Sequence, residues 1–226
     1  MNPLERAKNA LLKQGLPGAL YKLYIIGADR WFDLKYGIDT FRDEWVPGLT
    51  VASDNLHRGS QYQPSRIVPL RILFQRIKPL APSESVLVDF GCGKGRVLLI
   101  AAERGIKQAR GIEYTRELCE TARRNCAEYR RRLKTEASFE IIESDVLDYK
   151  LRPDENIFFF YNPFDAFILN KILDHIEASL EQAPRKIMIV YLNPVCRDVI
   201  EHRPRFKTAL DFRLLDYHFK IYENRL

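Results

Sequence analysis

The sequence predicts an α/β protein: a doubly wound, seven-stranded sheet, mostly parallel with a C-terminal antiparallel hairpin, helices on both faces, and an N-terminal helical cap. Three observations point there. Short apolar runs alternate with helical periodicity between residues 86 and 192, the first run opens through a glycine cluster into a helix, and the last two runs are joined by a short connection.

Leu4, Ala7, Leu11 and Leu12 form a helical stripe before Gly15, and Leu20, Leu23, Tyr24 and Trp31 a second one after Pro17. Because proline lacks an N–H and clashes with the preceding turn, the two stripes are expected to be separate helices. Lys22 interrupts the apolar stretch and no long hydrophobic region precedes a small-residue cleavage site, so this is neither a signal peptide nor a membrane span. Residues 1–60 are expected to cap the site and shape substrate access, with 61–226 as the catalytic domain. Lys22, Arg30 and Trp31 leave room for contact with a membrane surface.

Val86, Leu87 and Val88 form a short buried strand. Gly91, Gly93 and Gly95 then alternate with Cys92 and Lys94, letting the backbone approach a ligand, and Val97, Leu98, Ile100 and Ala101 supply the apolar face of the next helix. Its free N-terminal amides favour an anionic group such as a carboxylate. In the dinucleotide fingerprint G-x-G-x-x-G the third glycine falls on Arg96, which argues against a nicotinamide dehydrogenase.

The second strand, Ala109 to Glu113, ends in an acid; Thr115 then caps a helix marked by Leu118, Ala122, Cys126 and Tyr129. The third strand, Phe139 to Ile142, leads to a second acid, Asp145. The fourth, Ile157 to Tyr161, ends in Asn162-Pro163-Phe164, with Phe158, Phe159 and Phe160 assigned to packing. A helix over residues 166–182, a buried strand over 186–192 and a hairpin of 206–212 with 217–222 complete the sheet. Ligands of open α/β sheets sit outside the carboxyl ends of the strands, where these polar residues fall.

Asp89-Phe-Gly-Cys-Gly-Lys-Gly95 resembles motif I of class I S-adenosylmethionine (SAM) methyltransferases, and with Phe160-Tyr-Asn-Pro-Phe164 the resemblance covers about residues 60–224. Gly59-Ser-Gln-Tyr-Gln-Pro-Ser65 is similar to the Tyr-x-Pro-Ser/Thr segment that precedes many such domains. Phe32-Asp-Leu-Lys-Tyr-Gly-Ile-Asp-Thr40 resembles an N-terminal element of uncharacterised bacterial methyltransferases; seven-strand protein-lysine methyltransferases are more distant. The resemblance implies a cytoplasmic bacterial enzyme with SAM as cofactor and S-adenosylhomocysteine as product. The implied cofactor contacts are Tyr62, Gln63, Pro64, Ser65, Asp89, Gly91, Cys92, Gly93, Gly95, Arg96, Glu113, Tyr114, Asp145, Val146 and Asn162.

Asn162, Pro163 and Phe164 are the expected catalytic residues. They resemble the Asn-Pro-Pro-Tyr signature of amino-group methyltransferases, with one proline missing and Asp165 behind the aromatic. A nitrogen acceptor in a protein lysine or a small molecule, methylated by in-line SN2 transfer, is the implied reaction, and a nucleic acid ranks below both. The alternative is a non-catalytic module of the same fold that binds a partner through a basic face.

Composition fits one compact catalytic domain with an extension: 226 residues, 46% hydrophobic. The balance of 36 Lys plus Arg against 30 Asp plus Glu is mildly basic, and Arg123, Arg124, Arg130, Arg131, Arg132 and Lys134 are read as a solvated helix face. Cys92, Cys119, Cys126 and Cys196 lack C-x-x-C spacing and the histidines are scattered, so no metal is expected; reduced thiols suit a cytosolic protein, and a nucleophilic Cys92 is remote.

Overall fold

The computed structural model describes residues 3–41, 64–82, 84–161, 165–214 and 216–225. Helices α1 (Pro3–Tyr36) and α2 (Ile67–Ile77) precede β1 (Val86–Phe90), α3 (Arg96–Glu103), β2 (Gln108–Glu113), α4 (Arg116–Leu133) and β3 (Ser138–Glu143). Then come β4 (Ile157–Tyr161), α5 (Ala166–Gln182), β5 (Met188–Leu192), α6 (Arg197–Glu201), β6 (Phe206–Leu214) and β7 (Tyr217–Asn224). The seven strands lie in the order β3-β2-β1-β4-β5-β7-β6, parallel from β3 to β5, with β7 antiparallel to both β5 and β6.

Both faces of the central strands are buried, which is why they read as continuous apolar runs. Leu87, Ile157, Phe159, Val190 and Ile221 face one core with α2, α3 and α4; Val88, Phe158, Phe160, Ile189 and Tyr222 face a second core with α5 and α6. The three consecutive phenylalanines of β4 are fully buried, Phe159 on one side and its neighbours on the other, so their packing assignment holds.

Two expectations need correcting. The segment around Gly15, Pro17 and Gly18 does not divide the N-terminal region, because α1 runs unbroken for 34 residues. A mid-helix proline costs about 3 kcal/mol, a local penalty opposed downstream by burial of Ala19, Ile25, Phe32 and Tyr36 against the body of the protein. Second, Thr115 sits at the N-cap of α4 without a side-chain capping bond; the Glu113 carboxylate accepts from the Thr115 N–H instead, at 3.0 Å. Helices α2 and α6 were not anticipated. The first packs Ile67, Leu70, Leu73, Phe74 and Ile77 into the core at helical spacing; the second spans five residues, too few for a periodic signal.

Candidate active site

The site is built where β1 and β2 end. Asp89, one residue before the end of β1, pairs in register with Gly111 of β2, and alternation along β1 and β2 puts Asp89 and Glu113 toward the same face of the sheet. The chain then turns sharply: the Gly91 and Cys92 N–H groups both donate to the Ile112 carbonyl, and the Gly95 N–H donates to the Cys92 carbonyl. Gly95, at the N-cap of α3, has φ of 83°, and a Cβ there would lie 3.4 Å from that of Ala122. A side chain would strain the backbone and wedge α3 from α4. Gly111 is needed for another reason, since a Cβ there would meet the Cys92 sulfur at 2.5 Å.

Glu113 ties the end of β2 to this loop. One carboxylate oxygen accepts from the Gly93 N–H and the other from the Thr115 N–H, both at 3.0 Å. Burial pushes its pKa up, and those two backbone donors oppose the rise. Asp89 is buried too, yet among the described residues its Oδ2 has no hydrogen-bond partner. Burial, and then the charge of Glu113, hold the Asp89 carboxyl well above the usual carboxylate range. An orphaned buried carboxylate is costly in an isolated fold and fits a ligand bringing a positive group.

Beyond β3, the Asp145 side chain accepts from the Leu147 N–H at 2.9 Å, shaping a tight turn beside half-buried Tyr114, while Val146 is buried in the second core. Cys92 is buried, and desolvation reinforced by Asp89 and Glu113 pushes its thiol pKa well up, which opposes a nucleophilic role. Burial likewise pushes Cys119 and Cys126 up to about 12. Tyr161, at the end of β4, is mostly buried near Arg66 and Tyr217. Asp165 is the N-cap of α5, accepting from the Ile168 N–H at 3.0 Å. Tyr62, Gln63, Asn162, Pro163 and Phe164 lie outside the described residues.

The chain around α1 also reaches the glycine loop, through Arg96 and Ser65 and through Asp29 and Asn125, which the sequence reading did not single out. Arg96 is buried in the first turn of α3: Nε donates to Thr40 Oγ1 at 2.8 Å, Nη1 donates to the Ser65 carbonyl at 2.9 Å, and Asp29 lies 3.4 Å away. Asp29 is fully buried within α1 and also holds Arg66 at 2.7 Å. Lys94 pairs with Asp39 at 3.2 Å, and the Asn125 amide of α4 donates to the Asp39 and Lys94 carbonyls. Pro64 and Ser65 are buried at this junction, and Ser65 serves Arg96 through its backbone. The resemblance of residues 32–40 to an N-terminal element was the available signal; Asp29 and Asn125 left none, because an acid or amide in a helix usually faces water.

Residues 88–191 match a family model described as a methyltransferase domain. A search of curated proteins finds no match. Among solved structures, the candidate methyltransferase yhhF from Escherichia coli is similar at 19% identity, covering 74% of this chain and 96% of its own with a TM-score of 0.52. An RNA methyltransferase from Salinibacter ruber, in complex with S-adenosyl-L-homocysteine, is 18% identical over 68% of this chain and 90% of its own, TM-score 0.50. A candidate RNA methyltransferase from Pyrococcus horikoshii is 13% identical over 87% and 96%, TM-score 0.51. At these identities the structural likeness is one of fold. Strand order and glycine-loop geometry agree with the domain match at residues 88–191: the fold is the seven-stranded, Rossmann-like one, and the match supports a methyltransferase with SAM as its methyl donor.

Proposed function

We propose that this enzyme methylates a nitrogen, in a protein lysine or a small-molecule amine, by in-line SN2 displacement, with residues 61–226 as the catalytic domain and 1–60 as a cap over it. The observation that carries the site assignment is the Asp89–Glu113 pair: two buried acids under a glycine loop, one with an oxygen unpartnered among the described residues. SAM supplies an activated methyl group on a sulfonium, so the chain's task is to bind, align and exclude water.

The residues present fit that cofactor. Asp89 would face its ammonium end, the loop of Gly91, Cys92, Gly93 and Gly95 would pass close beside the methionine part, Glu113 would accept from the ribose, and Tyr114, Asp145 and Val146 would border the adenine. Arg96 would act through the N-terminal segment, as a positioning residue that holds Thr40 and Ser65 against the loop. Asn162, with the carbonyl beside Pro163, would orient the acceptor nitrogen, and Tyr161 and Phe164 would wall it. An amine must be neutral to attack, and an apolar pocket lowers its pKa.

The test has two arms. SAM and S-adenosylhomocysteine, but not NAD, should raise the melting temperature in proportion to ligand over Kd, with the shift lost in Glu113→Gln and retained in Asn162→Ala. Methyl-labelled SAM should then mark the protein or amine fraction of a cell extract, with no label transferred by Asn162→Ala. Label confined to RNA, or to an oxygen, would overturn the nitrogen assignment; a normal SAM shift with no transfer to any fraction would favour a non-catalytic binding module.

A further inference from the structure

We infer that the outward face of α1, together with the basic end of α4, docks on an anionic lipid surface. Helix α1 carries two opposite stripes. Ile25, Asp29, Phe32 and Tyr36 are buried against the protein, whereas Leu16, Leu20, Leu23, Trp31 and Leu34 are 45% to 76% exposed. These five recur at intervals that keep them on one side of the helix, giving an apolar ridge about 27 Å long. Large solvent-facing apolar patches mark an interaction surface rather than the ordinary scatter of exposed leucines.

Charge identifies the occupant. From Leu16 to Tyr36 the helix has two acids, and both are turned to internal partners: Asp29 is buried with Arg66, and Asp33 accepts from the Thr40 hydroxyl and from the Thr40 and Phe41 N–H groups. The exposed charged side chains of that stretch are the cations Arg30 and Lys35. At the C-terminal end of α1, Arg132 of α4 donates to the Lys35 carbonyl at 3.2 Å. That contact brings the exposed run of Arg130, Arg131, Arg132 and Lys134 beside the end of the ridge, with Glu128 as the acid held by Arg131 and Arg132. The basic cluster, a mere solvated face when read from sequence, is thus continuous with an apolar ridge carrying an exposed tryptophan. Apolar insertion, an interfacial aromatic and cationic flanks are the elements of anionic bilayer recognition. RNA would account for the arginines and leave the leucines unexplained. A second copy would cover the leucines and bring like charges together. Among the described residues no helix is long and apolar enough to cross a membrane, so the contact is a surface one.

The experiment is flotation of the full chain with vesicles of phosphatidylcholine alone or with about one-third phosphatidylglycerol, at low and high salt. The proposal expects recovery with the anionic vesicles, weakened by salt, and at least about ten-fold lower partition for Leu20→Glu/Leu34→Glu, a loss of roughly 1.4 kcal/mol. Lys35→Gln/Arg131→Gln should reduce partition and flatten the salt dependence. Both variants alter exposed residues and should keep the wild-type melting temperature and SAM-induced shift, so a folding defect is recognised separately. Absence of partition, partition unchanged in the leucine variant, a dimer dissolved by that variant without vesicle binding, or RNA binding indifferent to it would each overturn the assignment.

Discussion

Two clusters of acids, each with a deeply buried member, sit at the same sheet and are treated in opposite ways. Toward the amino end of β4, Glu155 is fully buried and held by Arg110, whose guanidinium also reaches Asp154 at 2.7 Å and Glu140 at 3.3 Å, while Tyr149 donates to Glu155. At the carboxyl ends of β1 and β2, Asp89 and Glu113 are similarly buried, and among the described residues no arginine pairs with them and one Asp89 oxygen is unpartnered. Hydrogen bonding from Arg110 holds Asp154 below the usual carboxylate range, and Arg152 does the same for Glu140; burial holds Asp89 above it. The first group completes its charge balance within the fold. The second does not, which is the difference expected between a binding site, as proposed for Asp89 and Glu113, and a structural ion cluster.

The sharpest way to break this contrast is to remove the cation that the first group owns. Arg110→Ala leaves Glu155 enclosed without its cation, and should lower unfolding free energy by about 3–5 kcal/mol in denaturant titration, while the protein that remains folded keeps its SAM affinity. If Arg110→Ala instead costs nothing, the cluster is not the structural element its geometry implies.

The converse substitution should act with the opposite sign. Asp89→Asn removes an unpaired buried carboxylate, so the ligand-free protein should gain about 1–2 kcal/mol at neutral pH and lose its SAM-induced thermal shift. Loss of both stability and binding would mean that Asp89 has a structural partner. Function sited at a destabilised position is the trade-off expected of a preorganised site.

pH should separate the two groups as well. Asp89 is raised in the fold, so its contribution is present below the unfolded carboxylate pKa and lost as pH climbs through its folded value; a cationic ligand favours the ionised form, so SAM affinity should rise over that same interval. Asp154 and Glu140 are lowered, so their contribution is present above the ordinary carboxylate range and lost on acidification through their depressed values; partial exposure keeps it small. Calorimetric titrations of SAM across pH should therefore slope upward for the wild type and flatten for Asp89→Asn.

The smallest effect sets the baseline. Arg131→Ala removes a solvent-exposed partner of Glu128 at 2.8 Å and should leave the denaturation midpoint unchanged within error. A measurable loss there would show that exposed pairs matter in this protein and would weaken the contrast drawn from the buried ones.

The sequence by itself determined the sheet and the glycine loop at the end of its first strand. Strands buried on both faces must be apolar throughout, so Val86 to Val88, Ile157 to Tyr161 and the run ending at Leu192 announced themselves, and a glycine loop after the first strand carries its own backbone requirement. Those signals are local: a few consecutive residues contain the whole physical reason. Tertiary structure decided that Pro17 lies inside a continuous helix, that Arg96 meets Asp29, Thr40 and Ser65, and that Asn125 joins α4 to the segment after α1. Each of these depends on partners about 30 to 90 positions away, or on burial that outweighs a local penalty. It decided, too, which acids were balanced and which were not: Asp89 and Glu155 are both carboxylates after apolar or polar runs in the sequence, and only the placement of Arg110 beside Glu155 makes that acid part of the frame and leaves Asp89 as the candidate binding group.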